Sequence, residues 1–247
     1  MIGKLKKSYW ELLHRWNTLC NPTEVEFWMY RVSSILGRLP HSRVKEKVLD
    51  VGGGNGRMKK HLCHSQSLNY TILERVGWDG ERLPFDKYLF GDITESSTSF
   101  IPDNASFDLI GCFEVLEHLT DPRQAFINMA ELLKPGGYLI LSTPQYWHIH
   151  GWPNDYFRYT SSGLRLLAKN AGLKEVALWP MGGPCLMIWT AIELNFRHPL
   201  RWPIVCQLVT WPAIMMARLL DWMIFSRQEN WKHFDTRGWI GIWRMTI

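Results

Sequence analysis

Cysteine is scarce and scattered in this chain of 247 residues: Cys20, Cys63, Cys112, Cys185 and Cys206, with no CxxC pair among them. That excludes a disulfide framework and a cysteine-rich zinc site, and predicts a reducing, cytoplasmic setting. The apolar run of a secretory signal is also missing. The basic start MIGKLKKSYWELLHRWN is interrupted by Glu11, His14, Arg15 and Asn17, and reads as an amphipathic helix lying on the domain, with a membrane-surface anchor as the alternative. No phosphate loop ending in Gly-Lys-Ser/Thr occurs. There is no internal repeat or low-complexity segment, and 46% hydrophobic with 21% charged residues excludes general disorder.

The charge that is present is unevenly placed. Residues 1–149 hold 17 Lys/Arg and 17 Asp/Glu, whereas residues 150–247 hold 11 Lys/Arg against 6 Asp/Glu. Ten of the 14 tryptophans lie from Trp147 onward. A basic, tryptophan-rich second part suits an anionic acceptor or a membrane–water interface.

The hydrophobic pattern alternates strand and helix. Two helices are expected over 4–39. Strands are expected at 47–52 (KVLDVG), 69–73 (NYTIL), 88–91 (YLFG), 107–112 (FDLIGC), 138–142 (YLILS), 173–179 (LKEVALW) and 239–247 (WIGIWRMTI), the last closing the sheet. A helix is expected over 56–63. Asp121-Pro122 opens another running to about Lys134, and Thr160 caps one that ends before Gly172. The alternation predicts an α/β, doubly wound, mostly parallel Rossmann-like sheet. The apolar segment 203–225 breaks the rhythm and contains Gln207, Pro212, Arg218 and Asp221. It reads as a buried cap helix, with an interfacial helix or a spanning helix as alternatives.

VLDVGGGNGR, residues 48–57, places four glycines after the first strand. Glycines let a backbone approach a ligand closely, and the following turn offers free N–H groups at the carboxyl edge of the sheet. Gly52, Gly54 and Gly56 give GxGxG, and Arg57 stands at the position of the last glycine of a dinucleotide fingerprint, which disfavours a nicotinamide cofactor. Asp50 would repel a pyrophosphate and suits a ligand carrying a cation. Glu74, ending the second strand, is the acid expected on a ribose diol.

VLDVGGGNG, LE at 73–74, GDI at 91–93, FDLIGCFEVLEHLTDP and LLKPGGYLILSTP together resemble the class I S-adenosylmethionine-dependent methyltransferases, and most closely the small-molecule and glycan branch carrying EVLEH after strand four. The resemblance covers about residues 44–180. It implies a cofactor-binding core over 44–180; residues 1–40 and 185–238 lie outside it, and with the pattern along the chain the expectation is a single methyltransferase domain over 1–247, with N-terminal helices over 1–40, a helical cap or membrane-facing insert over 181–238 and a final strand over 239–247. It implies S-adenosylmethionine as cofactor, held by Asp50, Gly52, Gly54, Asn55 and Gly56 at the amino-acid end and by Glu74 at the ribose. Asp92 and Ile93 would meet the adenine, and Cys112 and Phe113 the methionine side.

Glu114, Glu117 and His118 stand at i, i+3 and i+4, one face of a helix, a donor set for Mg²⁺ or another divalent ion. In appearance this matches ubiquinone-pathway and small-RNA methyltransferases that use a metal. EVLEH also occurs in the metal-free branch, so Mg²⁺ is not expected. The RNA enzymes need a further downstream histidine; Tyr156 stands in its place, with His148 or His150 as the candidates to substitute for it, and nucleic acid is not expected. The loop QYWHIHGWPNDYFRYT, 145–160, follows strand five and overhangs the reacting edge. His148 or His150 is the candidate general base, with Asp155 behind them, and Arg158 could hold an anionic acceptor. The resulting expectation is O-methylation of a small molecule, glycan or lipid-linked saccharide, with peripheral membrane contact through the insert. A non-catalytic binding module of the same fold is the competing class.

Overall fold

The computed structural model describes residues 47–62, 69–75, 87–95, 106–197, 203–225 and 236–246. The helices expected over 4–39 lie outside them. Seven strands form one sheet: β1 (Lys47–Val51), β2 (Asn69–Glu74), β3 (Lys87–Phe90), β4 (Phe107–Phe113), β5 (Leu133–Pro144), β6 (Leu173–Pro180) and β7 (Gly238–Met245). Their order is β3-β2-β1-β4-β5-β7-β6. The helices are α1 (Lys59–Leu62), α2 (Pro122–Glu131), α3 (Ser161–Asn170), α4 (Pro184–Arg197) and α5 (Pro203–Phe225).

Strand alternation sorts the core onto two faces. Leu49, Val51, Ile110, Leu139 and Leu141 face one layer, where Ala125, Phe126 and Met129 of α2 and Leu164 and Ala168 of α3 cover them. Val48, Ile72, Leu109, Ile140, Ile240 and Ile242 face the other, beside Met58 and Leu62. Trp243 is fully buried and meets Phe126 edge-on, ring centroids 6.3 Å apart. The caps form as expected. Asp121 Oδ1 accepts from the Gln124 N–H at 3.0 Å, and Thr160 Oγ1 accepts from the Gly163 N–H at 3.1 Å.

Four boundaries differ from the sequence reading. The helix expected over 56–63 is only α1, because Gly56 at φ +75° keeps the chain in a turn that no right-handed helix can include. The helix expected to reach Lys134 ends at Glu131, and Leu133 already pairs with Phe107. Pro135 disfavours helical backbone at the residue before it. β7 does not close an edge. It lies between β5 and β6, antiparallel to both. The chain returns from the insert at the edge where β6 ended, so it has to run the other way. Finally, the buried-cap reading of 203–225 does not hold over the described second half of α5, where Met216, Leu219, Trp222 and Met223 are exposed.

The polar residue of that helix turns inward. Asp221 accepts from the N–H groups of Gly183, Cys185 and Leu186 at 2.9, 3.0 and 3.1 Å. These are the free donors at the start of α4, so one carboxylate pins the two helices together. Asp221→Ala is expected to lower stability by about 2 kcal/mol. Denaturant unfolding would read it, and an unchanged midpoint would contradict this role.

Candidate active site

Register decides what stands at the carboxyl edge. Val51 pairs with Leu73 of β2 and with Cys112 of β4, and Phe113 pairs with Ser142 of β5. The glycine turn, Glu74, Glu114–His118 and the 145–159 loop therefore emerge side by side.

The turn is built by glycine geometry. Gly52, Gly54 and Gly56 have φ of +67°, +55° and +75°, a region costly for other residues. A Cβ on Gly52 would collide with Val115, and one on Gly53 would lie 2.5 Å from Asp50 Oδ2. Asp50 is buried and accepts from the Tyr70 hydroxyl, so it braces the turn from below. Asn55 is exposed, its Oδ1 accepting from the Arg57 N–H at 3.2 Å. Glu74 Oε1 accepts from the Gly54 N–H, which draws the end of β2 onto the turn.

Beyond β3, Asp92 Oδ1 accepts from the Thr94 N–H and hydroxyl at 2.9 and 2.7 Å, while Oδ2 lies 3.4 Å from Arg75 Nε. Ile93 and Cys112 are enclosed in the main core, and Phe113 is buried in the opposite layer. Burial first, and then the Glu117 charge, push the Cys112 thiol far above its ordinary value, so it is no nucleophile. Asn128 of α2, which the sequence reading missed, donates to the carbonyls of Ile93 and Glu95 at 2.7 and 2.6 Å and fixes this stretch. A lone amide on the apolar face of a helix was the available signal.

EVLEH does not present one helical face. Glu114 sits at φ +53°, outside any helix, and accepts from the Ser142 hydroxyl at 2.8 Å. Leu116–His118 form a single 3-10 turn. The candidate trio Glu114, Glu117 and His118 is thereby replaced by another: Glu117, His118 and His150 each offer one ligand atom, all within 4.8 Å of one another. The loop after β5 brings His150 in. Tyr156 and Phe157 N–H donate to the Glu117 carbonyl at 2.8 and 3.2 Å, and Tyr159 OH donates to that of Leu116 at 3.0 Å.

Each imidazole is oriented by a carbonyl. His118 Nδ1 lies 2.6 Å from the Asn154 carbonyl and His150 Nδ1 lies 3.3 Å from that of His148. A carbonyl only accepts, so Nδ1 carries the proton and Nε2 keeps its lone pair. Both Nε2 atoms face Glu117 Oε1, at 3.8 and 3.6 Å. Glu117 is fully buried, its Oε1 has no hydrogen-bond partner, and Oε2 accepts from Thr143 at 3.4 Å. Burial first, then the Glu114 charge, raise its pKa from 4.5 to about 8. Burial also lowers that of His150, which favours the neutral ring.

The other loop candidates take different places, Asp155 against His150 and His148 away from it. Asp155 is gripped by Arg158 at 2.6 and 2.9 Å and accepts from the His150 N–H at 2.7 Å. Its hydrogen bonds to Arg158 hold its pKa far below the usual carboxylate range, so it orients groups and takes up no proton near neutrality. His148 is exposed, 6.0 Å from the His150 ring. Gly151, φ +69°, is a second residue the sequence reading passed over: a Cβ there would lie 2.9 Å from His118 Cε1.

A family model described as a methyltransferase domain matches residues 25–178. The chain belongs to this methyltransferase family. S-adenosylmethionine is the methyl donor of the family, and a glycine-rich turn with an acid on the neighbouring strand fits it. The ubiquinone biosynthesis O-methyltransferase of Proteus mirabilis is 28% identical over 151 residues, 55% of this chain and 54% of that protein. The chain spans just over half the length of the curated relatives it matches. Among solved structures, a chain of the Haloferax volcanii complex between the Trm112 methyltransferase activator and a methyltransferase aligns at TM-score 0.56 and 18% identity, covering 94% of this chain and 95% of that one. The cyclase SpnF aligns at 0.54 and 17%, covering 88% and 80%. Those two likenesses show the fold alone.

The Glu117 shift has a measurable sign. Between 4.5 and about 8 the folded methyltransferase domain retains a proton that the unfolded chain has released, so this group makes stability fall as pH rises through that window. Glu117→Gln in EDTA is expected to gain on the wild type by on the order of 3 kcal/mol between pH 5 and pH 8. Denaturant unfolding across that range checks it, and parallel curves would refute the shift.

Proposed function

We propose that this chain transfers the methyl group of S-adenosylmethionine to a hydroxyl of a small molecule, glycan or lipid-linked saccharide. The observation that carries the reading is the adjacency at one sheet edge of the glycine cradle and a neutral, oriented imidazole, His150. The name of the curated O-methyltransferase relatives supports oxygen as the acceptor atom.

When bound, S-adenosylmethionine supplies an electrophilic methyl on a cationic sulfur. The backbone of 52–56 leaves room for the donor, with Glu74 beside it. His150 Nε2 would take the proton from the acceptor hydroxyl as that oxygen is methylated. Asp155 Oδ2, 3.6 Å from His150 Nδ1, stabilises the imidazolium that forms. The remaining contribution is alignment of the two reactants.

The orphaned Oε1 of Glu117 supports a second reading. A divalent cation held by Glu117, His118 and His150 would satisfy that oxygen and two imidazole lone pairs, with the His118 Nδ1–H on a carbonyl as its outer support. It would acidify the acceptor hydroxyl in place of a protein base.

Calorimetry with S-adenosylhomocysteine is expected to show micromolar binding, abolished in Gly54→Arg with folding intact. A folded wild type without affinity would overturn the enzyme reading in favour of a binding module. Titration of the metal-stripped protein with Mn²⁺ separates the two mechanisms. The base reading expects no saturable binding and a kcat about 100-fold lower in His150→Ala. Tight stoichiometric binding, lost in His118→Ala and His150→Ala alike, would establish the metal reading.

A further inference from the structure

A guanidinium carries five N–H donors in one plane. On Arg158 every one of them is taken inside the loop after β5. Nε donates to the Trp147 carbonyl at 3.4 Å. One terminal nitrogen donates to Asp155 Oδ1 at 2.6 Å and to the Phe157 carbonyl at 2.8 Å. The other donates to the His148 carbonyl and to Asp155 Oδ2, both at 2.9 Å. The expectation that Arg158 holds an anionic acceptor is corrected by this arrangement, which leaves no N–H over for one.

The partners come from both limbs of the loop. Trp147 and His148 precede His150, and Asp155 and Phe157 follow it. Residues 145–160 contain no helix and no strand, so no backbone ladder fixes one limb against the other. The Arg158 fork joins them instead. The second limb is itself seated on the turn that carries Glu117 and His118, because Tyr156 and Phe157 N–H donate to the Glu117 carbonyl.

Two of the five contacts reach His150 directly. The His148 carbonyl that accepts from Arg158 lies 3.3 Å from His150 Nδ1. Asp155 Oδ2, which also accepts from Arg158, accepts from the His150 N–H at 2.7 Å. The carbonyl sets the tautomer and the carboxylate sets the backbone that carries the ring. The Asp155 side chain is 2% exposed, and a carboxylate so enclosed needs a fixed cation. Arg158 supplies that cation and holds the carbonyl with the same plane. Lysine, a point charge without a fork, could answer the carboxylate alone. His118 depends on a different carbonyl, that of Asn154 at 2.6 Å.

We propose that Arg158 is a positioning residue: its fork locks the two limbs of the loop together and so holds His150 against Glu117 with Nε2 unprotonated. What His150 then does, as base or as metal ligand, rests on the methyl-transfer reading above. Its placement by Arg158 does not.

Long-range proton–nitrogen NMR of the histidine rings, in the full chain with EDTA, tests this. The His150 signals are identified by their loss in His150→Gln. The wild type is expected to show His150 as the Nδ1–H tautomer. In Arg158→Lys, which keeps the charge, His150 is expected to lose that single form and populate Nε2–H, while His118 keeps its own tautomer. Asp155→Asn/Arg158→Gln removes the buried charge together with the fork, and the same change is expected there. A dispersed amide spectrum shows each variant folded whether or not S-adenosylhomocysteine binds, so this test and that of the methyl-transfer reading fail independently. A wild-type His150 protonated at Nε2, or a folded variant that keeps the Nδ1–H form, overturns the proposal. So does loss of the His118 tautomer along with that of His150, which would mark a general loosening of the loop.

Discussion

The parallel register of β1 against β2 and β4 is the constraint on which the site depends. Aligning Val51 with Leu73 and Cys112 ends three strands at one level, about 4.8 Å apart. Each strand then releases its next residues into the same space: glycines from β1, Glu74 from β2, Glu114 onward from β4. A slip of one residue would turn Asp50 toward the main core and Leu49 toward Tyr70, exchanging the two faces. The apolar residues of β1, β2 and β4 are buried on both faces, so the register has no neighbouring alternative of similar free energy. The site is precise because the core beneath it is.

What local chemistry encodes could be read from the sequence. Asp121-Pro122 and Thr160 announce helix starts because their side chains bond their own backbone. The glycines of 52–56 announce a turn because three of them adopt positive φ. The fold class follows from the alternation of strand and helix. What escaped depends on partners distant in sequence. The place of β7 is decided by where a 57-residue excursion, from Met181 to Arg237, lets the chain return. The failed EVLEH face has a single cause. Spacing arguments assume continuous right-handed helix, and Glu114 is a non-glycine residue at φ +53°. Ser142, 28 positions away, holds it there through a side-chain and a backbone hydrogen bond. No pattern within EVLEH carries that information. The inward turn of Asp221 was equally hidden, because its three N–H partners lie 35 to 38 positions away.

Glu117 joins the fold to the chemistry. A carboxyl this deeply enclosed cannot stay charged and unpartnered. Its Oε2 has Thr143, but Oε1 faces two imidazole lone pairs and nothing that donates to it. Two neutral solutions exist, a proton on Glu117 or a cation shared with His118 and His150. They are exclusive in consequence. With a proton on Glu117, His150 keeps a free Nε2 and can act as base, and the raised pKa of Glu117 is the cost of enclosing it. With a cation, the same Nε2 becomes a ligand, the pKa shift disappears, and the acceptor hydroxyl is acidified directly. The choice between base and metal chemistry therefore comes down to one oxygen atom and what neutralises it.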